Sequence, residues 1–103
     1  MRVHTETVQF KADKKLLDFI EKKVAKLDQF FDRIIDANVF LKLENSGQVK
    51  DKIAEIKLTV PGETLIAKDS DKTFEVAIDA AVEALRRQLL KYKEKMRDKS
   101  PVS

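Results

Sequence analysis

Apolar residues recur along this chain with two different periods. In residues 52–60, KIAEIKLTV, Ala54, Ile56, Leu58 and Val60 alternate with Glu55, Lys57 and Thr59. A period of two predicts a strand with one buried and one polar face. Residues 37–44, ANVFLKLE, place Val39, Leu41 and Leu43 on one face and Phe40 and Lys42 on the other. Asn45, Ser46 and Gly47 then mark a turn or loop. Pro61-Gly62 signals a tight turn, and residues 63–68, ETLIAK, return as the next hairpin strand. Residues 2–10 are rich in Val, Thr and Phe and also read as a strand. Val3 and Val8 are out of phase there, which predicts a bulge or an early strand end.

The other period is helical. Leu17, Ile20, Val24, Leu27 and Phe31 are spaced by three and four, a buried stripe on a helix with Asp13 as N-cap that runs to Phe31 or Asp32. Lys15, Lys22, Lys26 and Arg33 fall on the opposite side, among Asp18, Glu21 and Asp28. A second, longer helix is predicted over residues 72–97, with Phe74, Ile78, Ala81, Leu85, Leu89, Tyr92 and Met96 in one narrow arc. Among Asp69, Ser70 and Asp71, Ser70 is the expected N-cap. At a rise of ~1.5 Å per residue this helix spans about 39 Å, more than short strands can cover. Its C-terminal turns are expected at the edge of the core.

The order is β-α-β-β-β-α. The sheet has one apolar and one mixed face, so both helices belong on the apolar face. The expected fold is α+β: a two-layer sandwich of a four-stranded sheet and two helices, resembling a double-stranded-RNA-binding domain. One domain is expected over residues 1–99, with a short tail at 100–103. A hydrophobic fraction of 43% supports a folded core, while 38% charged residues make an unusually charged surface. There is no cysteine, hence no disulfide or thiolate chemistry. No signal peptide and no membrane span are expected, which together point to the cytoplasm.

Few residues suit catalysis. His4 is the single histidine and lies in a terminal strand without an evident partner. Asp69, Asp71 and Asp79 lack the ligand number and glycine of a calcium loop, and helix capping accounts better for the first two. Gly47 and Gly62 are the two glycines, so no phosphate-cradling loop is available. The reading is a non-enzyme without metal or cofactor.

Charge is informative through its placement. The net charge is +3, yet residues 86–99 hold seven Lys or Arg against Glu94 and Asp98. Lysines at a helix C-terminus meet the macrodipole favourably, at ~0.3–1 kcal/mol each. That argument covers the last turn, not fourteen residues containing a like-charged row at Arg87, Lys91 and Lys95 and another through Arg86, Lys93 and Arg97. Such concentration is the footprint of a polyanion partner. A helix committed to its own core offers Lys and Arg flanks to phosphates rather than a recognition face to DNA. Phe40 is the one clear aromatic on the outer sheet face, which excludes RNA-recognition-motif stacking. These features point to structured RNA read through its backbone, with no DNA and no membrane partner.

Two stretches carry a family resemblance: FIEKKVAKLDQFFDRIIDANVFL at 19–41 and AIDAAVEALRRQLLKYKEK at 77–95. The second keeps an aliphatic-acid pair, Ile78-Asp79, then Leu85, Arg87-Gln88 and Lys91-Tyr92-Lys93. The chain resembles the short ribosome hibernation promoting factors, the ribosome-associated inhibitor or sigma-54 modulation protein family. The resemblance implies binding to the small ribosomal subunit in the channel of messenger and transfer RNA, inhibition of translation, and preservation of idle ribosomes under stress or in stationary phase. It also implies rRNA contacts at Lys22, Lys23 and Lys26 on the first helix and at Arg86, Arg87, Lys91, Lys93 and Lys95 on the second. Gln88 matches the family's glutamine, and its spacing near the core arc suggests a structural role. Glu75 and Leu90 depart from the family's pattern, and the first strand lacks a frequent glycine. No counterpart of the second domain of long members is expected, and if this protein promotes ribosome dimers it is expected to need another factor. The free protein is expected to be a monomer. The alternatives are a generic double-stranded-RNA-binding module and a protein–protein regulator of a sigma factor.

Overall fold

The computed structural model describes residues 1–46 and 49–98. The elements are β1 (Arg2–Val8), α1 (Lys14–Ala25), a 3-10 segment (Lys26–Gln29), β2 (Asp36–Ser46), β3 (Val49–Val60), β4 (Glu63–Asp71) and α2 (Phe74–Asp98). The strands form one sheet in the order β1-β2-β3-β4. β1 runs parallel to β2, the other pairs are antiparallel, and β1 and β4 are the edges. This is the expected two-layer α+β sandwich.

Period-two patterning sets the register. Val39 lies opposite Ile56, Ala37 opposite Leu58 and Leu58 opposite Leu65, so the apolar sets of three strands share one face. Ala37, Leu41, Ala54, Ile56 and Leu58 are fully buried there, beneath Ile20, Val24, Ile78, Leu85 and Leu89 of the helices. Ala77 and Ala81 let α2 approach the sheet closely. Pro61 presets the φ of the β3–β4 turn, and Gly62 adopts φ +84°, the combination a type II turn requires.

Several boundaries differ from the sequence reading. β1 ends early, at Val8, because Gln9 turns the chain at φ +68°. Val8 then faces outward with 43% of its surface exposed, out of phase with the inward Val3. α1 does not reach Phe31: after Ala25 it tightens into the 3-10 segment, which brings Leu27 and Phe31 inward before the chain enters β2. Arg33 therefore lies beyond the helix rather than on its polar stripe. Asp13 is the N-cap as expected, its Oδ1 accepting the Leu16 N–H at 2.8 Å. Leu17, however, is exposed, and Leu16 packs against the core instead. Leu16 and Leu17 flank the stripe of Ile20 and Val24 on opposite sides, so helical spacing alone does not separate them.

Ser70 is not the cap of α2. β4 continues to Asp71, pairing Ser70 with Ile53, and Thr73 caps the helix by accepting the Val76 N–H at 3.2 Å. Asp69 and Asp71 likewise lie within β4; each accepts the N–H of the residue that follows it. β2 extends through Asn45 and Ser46, and the expected turn residue Gly47 lies outside the described residues. No described helix is long and apolar enough to cross a membrane.

Candidate nucleic-acid interface

The side chains that seat α2 also decide where its charges point. Leu85, Leu89 and Tyr92 are buried, Tyr92 donates its hydroxyl to the Pro61 carbonyl, and its ring meets Phe31 edge-on at 5.3 Å. With these positions fixed, the 100° step between residues sends the cations to two opposite flanks.

One flank faces β4 and the β3–β4 turn. Gln88 Nε2 donates to the Ile66 carbonyl at 2.9 Å, so the glutamine has the structural partner its spacing suggested. Arg87 and Lys91, both exposed, line a shallow cleft of about 380 Å³ with Ala84, Gln88 and Leu90. One turn further on, Lys95 borders a smaller cleft with Pro61, Gly62 and Glu63. Arg87, Lys91 and Lys95 form no ion pair with a described residue.

The other flank faces α1 and the 3-10 segment. Arg86 is half-buried and committed: its Nε lies 3.1 Å from both Glu83 oxygens, and its guanidinium sits 5.9 Å from the Phe30 ring centroid. The hydrogen bond from Arg86 holds the Glu83 carboxyl below the usual carboxylate range and raises the Arg86 guanidinium in turn. Lys93 lies further along, beside Phe31, Arg33 and Arg97.

The first-helix lysines are divided as well. Lys23 Nζ is 3.1 Å from Asp79 Oδ1 and 5.6 Å from the Phe19 ring centroid, which ties α1 to the start of α2. Asp79 is thus a helix–helix ion-pair partner. Lys22 and Lys26 are exposed and unpaired among the described residues. Their position at the C-terminal end of α1 also favours them through the helix dipole.

The eight candidate cations therefore do not converge on one spot. Arg87, Lys91 and Lys95 form a continuous exposed row, Lys22 and Lys26 a second exposed pair, and Lys93 stands near a cluster of its own. Arg86 and Lys23 are held by carboxylates. Arg33 and Arg97 complete the cluster around Lys93 and are outside the expected set. Arg97 was legible as part of a like-charged row, but nothing in the sequence placed Arg33 beside it.

Comparison with known proteins agrees with this architecture. Residues 3–97 match the family described as sigma 54 modulation protein / S30EA ribosomal protein. A ribosome hibernation promoting factor of Klebsiella oxytoca is 39% identical over 80 residues, covering 78% of this chain and 80% of that protein. A ribosome hibernation promoting factor of Azotobacter vinelandii is 35% identical over 95 residues, covering 92% and 85%. The structure of a ribosomal subunit interface protein from Coxiella burnetii superimposes with a TM-score of 0.80 at 21% identity, over 91% of this chain and 99% of that one, and so shares its fold. With nearly its whole length matched, the chain belongs to the sigma 54 modulation protein / S30EA ribosomal protein family.

Proposed function

We propose that this protein is a ribosome-associated hibernation factor. It binds the small ribosomal subunit in the channel used by messenger and transfer RNA, inhibits translation, and preserves idle ribosomes under stress or in stationary phase. Family membership and the names of the two relatives support the ribosome as partner and a role without catalysis. The observation that carries an RNA contact is the row Arg87, Lys91 and Lys95, exposed and unpaired among the described residues on a helix that its own core holds fixed.

The mechanism is occlusion. A folded wedge enters the channel, and its cations replace counterions on rRNA phosphates. Each phosphate so neutralised contributes about −0.7 to −0.9 to the slope of log affinity against log salt. The rigidity of α2 matters here, because a preformed row of charge loses little conformational freedom on binding. Specificity comes from the shape of the RNA rather than from base edges. Such a factor works in the cytoplasm, as a monomer when free.

Co-sedimentation with purified small subunits in rising salt tests this reading, with a long RNA duplex as competitor. The expected result is co-sedimentation at low salt that falls steeply as salt rises and resists the duplex. Failure to sediment at low salt would overturn it. Equal competition by the duplex would favour a generic RNA-binding module instead.

A further inference from the structure

The two basic rows of α2 treat cations as points on a surface. At one further place, cations from two segments distant in sequence line the same cleft. Between the segment leading into β2 and the last turns of α2 lies a cleft of about 300 Å³, lined by Phe31, Arg33, Lys93, Met96 and Arg97. Of the five described residues that line it, three are cationic and none is a carboxylate.

The floor of this cleft is well supported. Phe31 is buried, and Tyr92 meets it edge-on. The guanidinium of Arg33 lies 5.5 Å from the Phe31 ring centroid, so among the described residues an aromatic face rather than an anion is its partner. That contact orients the planar fork and leaves its hydrogen-bond donors available. Lys93 and Arg97, one helical turn apart on α2, line the same opening. The carbonyl end of α2 contributes partial negative charge nearby. Three like cations around one cleft more than offset it, and they repel one another until an anion enters.

We infer that this cleft is a phosphate-binding site. Two guanidinium forks and an ammonium suit a tetrahedral oxyanion, which accepts several charge-assisted hydrogen bonds at once. The volume is at the low end of the range for ligand pockets, ~300–1,000 Å³, and holds one phosphate group with part of an attached nucleoside. Phe31 supplies an apolar wall for the attached group. The phosphate belongs either to an RNA chain or to a free nucleotide, and only the first alternative rests on the proposed ribosome binding.

Amide NMR titration of the full chain with inorganic pyrophosphate tests the site. Saturable shifts confined to residues 31–33 and 92–97 are expected. Arg33→Ala or Arg97→Ala weakens the response about tenfold, whereas Lys68→Ala, at an exposed position of β4, leaves it within about twofold. Parallel titrations with a nucleoside triphosphate and with a short RNA lacking terminal phosphates identify the source: saturation by the triphosphate alone indicates a free nucleotide, and saturation by both an RNA phosphate. Shifts spread over all lysines and arginines without saturation would overturn the inference. Small-subunit sedimentation of the unmodified protein, run alongside, shows separately whether the ribosome reading holds.

Discussion

Gln88 Nε2 donates a hydrogen bond of 2.9 Å to the carbonyl of Ile66, joining α2 to β4. β4 is an edge strand, with a neighbouring strand on one side only. The glutamine therefore serves an edge acceptor and adds to the buried contacts of Leu85, Leu89 and Tyr92 that fix the rotation of α2 and so the direction of Arg87 and Lys91.

Gln88→Ala is expected to lower the stability of the fold by about 1 kcal/mol, the net worth of one such hydrogen bond. Gln88→Glu destabilises at least as much, because a carboxylate cannot donate to the carbonyl. Urea denaturation measures both. A glutamine acting only on RNA would leave the midpoint unmoved.

Arg87→Glu combined with Lys91→Glu should abolish small-subunit binding while thermal unfolding stays cooperative. Both side chains are exposed and form no ion pair with a described residue, so the charge reversal breaks no salt bridge and removes only the attraction of Arg87 for Glu83. Loss of the cooperative transition would mean that the faces of α2 are wrongly assigned.

Leu89 and Leu90 are adjacent but differ in role. Leu89 is fully buried and Leu90 is 39% exposed. Leu89→Ala is expected to cost about 2–5 kcal/mol, the range for large-to-small changes in a packed core. Leu90→Lys is expected to stay within about 0.5 kcal/mol, as surface changes usually do. Guanidinium melts of the two variants check the contrast.

Gly62 holds φ +84° at the β3–β4 turn, and a Cβ built there meets nothing within 4 Å. The cost of Gly62→Ala is therefore backbone strain alone, about 1–2 kcal/mol. Its effect belongs in the unfolding transition, with little change in small-subunit sedimentation.

Lys23 and Asp79 form a partly exposed pair that ties the two helices together. Breaking it with Lys23→Ala should cost no more than about 1 kcal/mol, as exposed pairs do. Because Asp79 already engages this lysine, binding to the small subunit should fall less than it does for Lys91→Ala. A larger fall for Lys23→Ala would show that the lysine exchanges Asp79 for RNA.

Sequence periodicity determined the element order, the single-sided core and the burial of nearly every residue in the α2 arc. Those properties follow from spacing alone, because a period of two or of 3.6 fixes which side chains share a face. The basic excess of residues 86–99 was equally legible as a local property. The family resemblance rested on contiguous runs that the comparisons then matched along nearly the whole chain.

Other features depended on distant partners. Ser70 looked like a helix cap until its pairing with Ile53 kept it in β4 and left the cap to Thr73. Leu17 fitted the stripe of α1, but in the folded protein Leu16 is the side chain that packs against the core and Leu17 is exposed. Arg86 and Arg87 are neighbours in sequence, yet one is held by Glu83 and Phe30 while the other forms no ion pair with a described residue and lines an open cleft with Lys91. Arg33 and Arg97 are 64 positions apart and line one cleft. Spacing assigns a residue to a face of its own element; what that face meets is set by how the elements pack, and here packing separates the cations held in pairs from those left open to a partner.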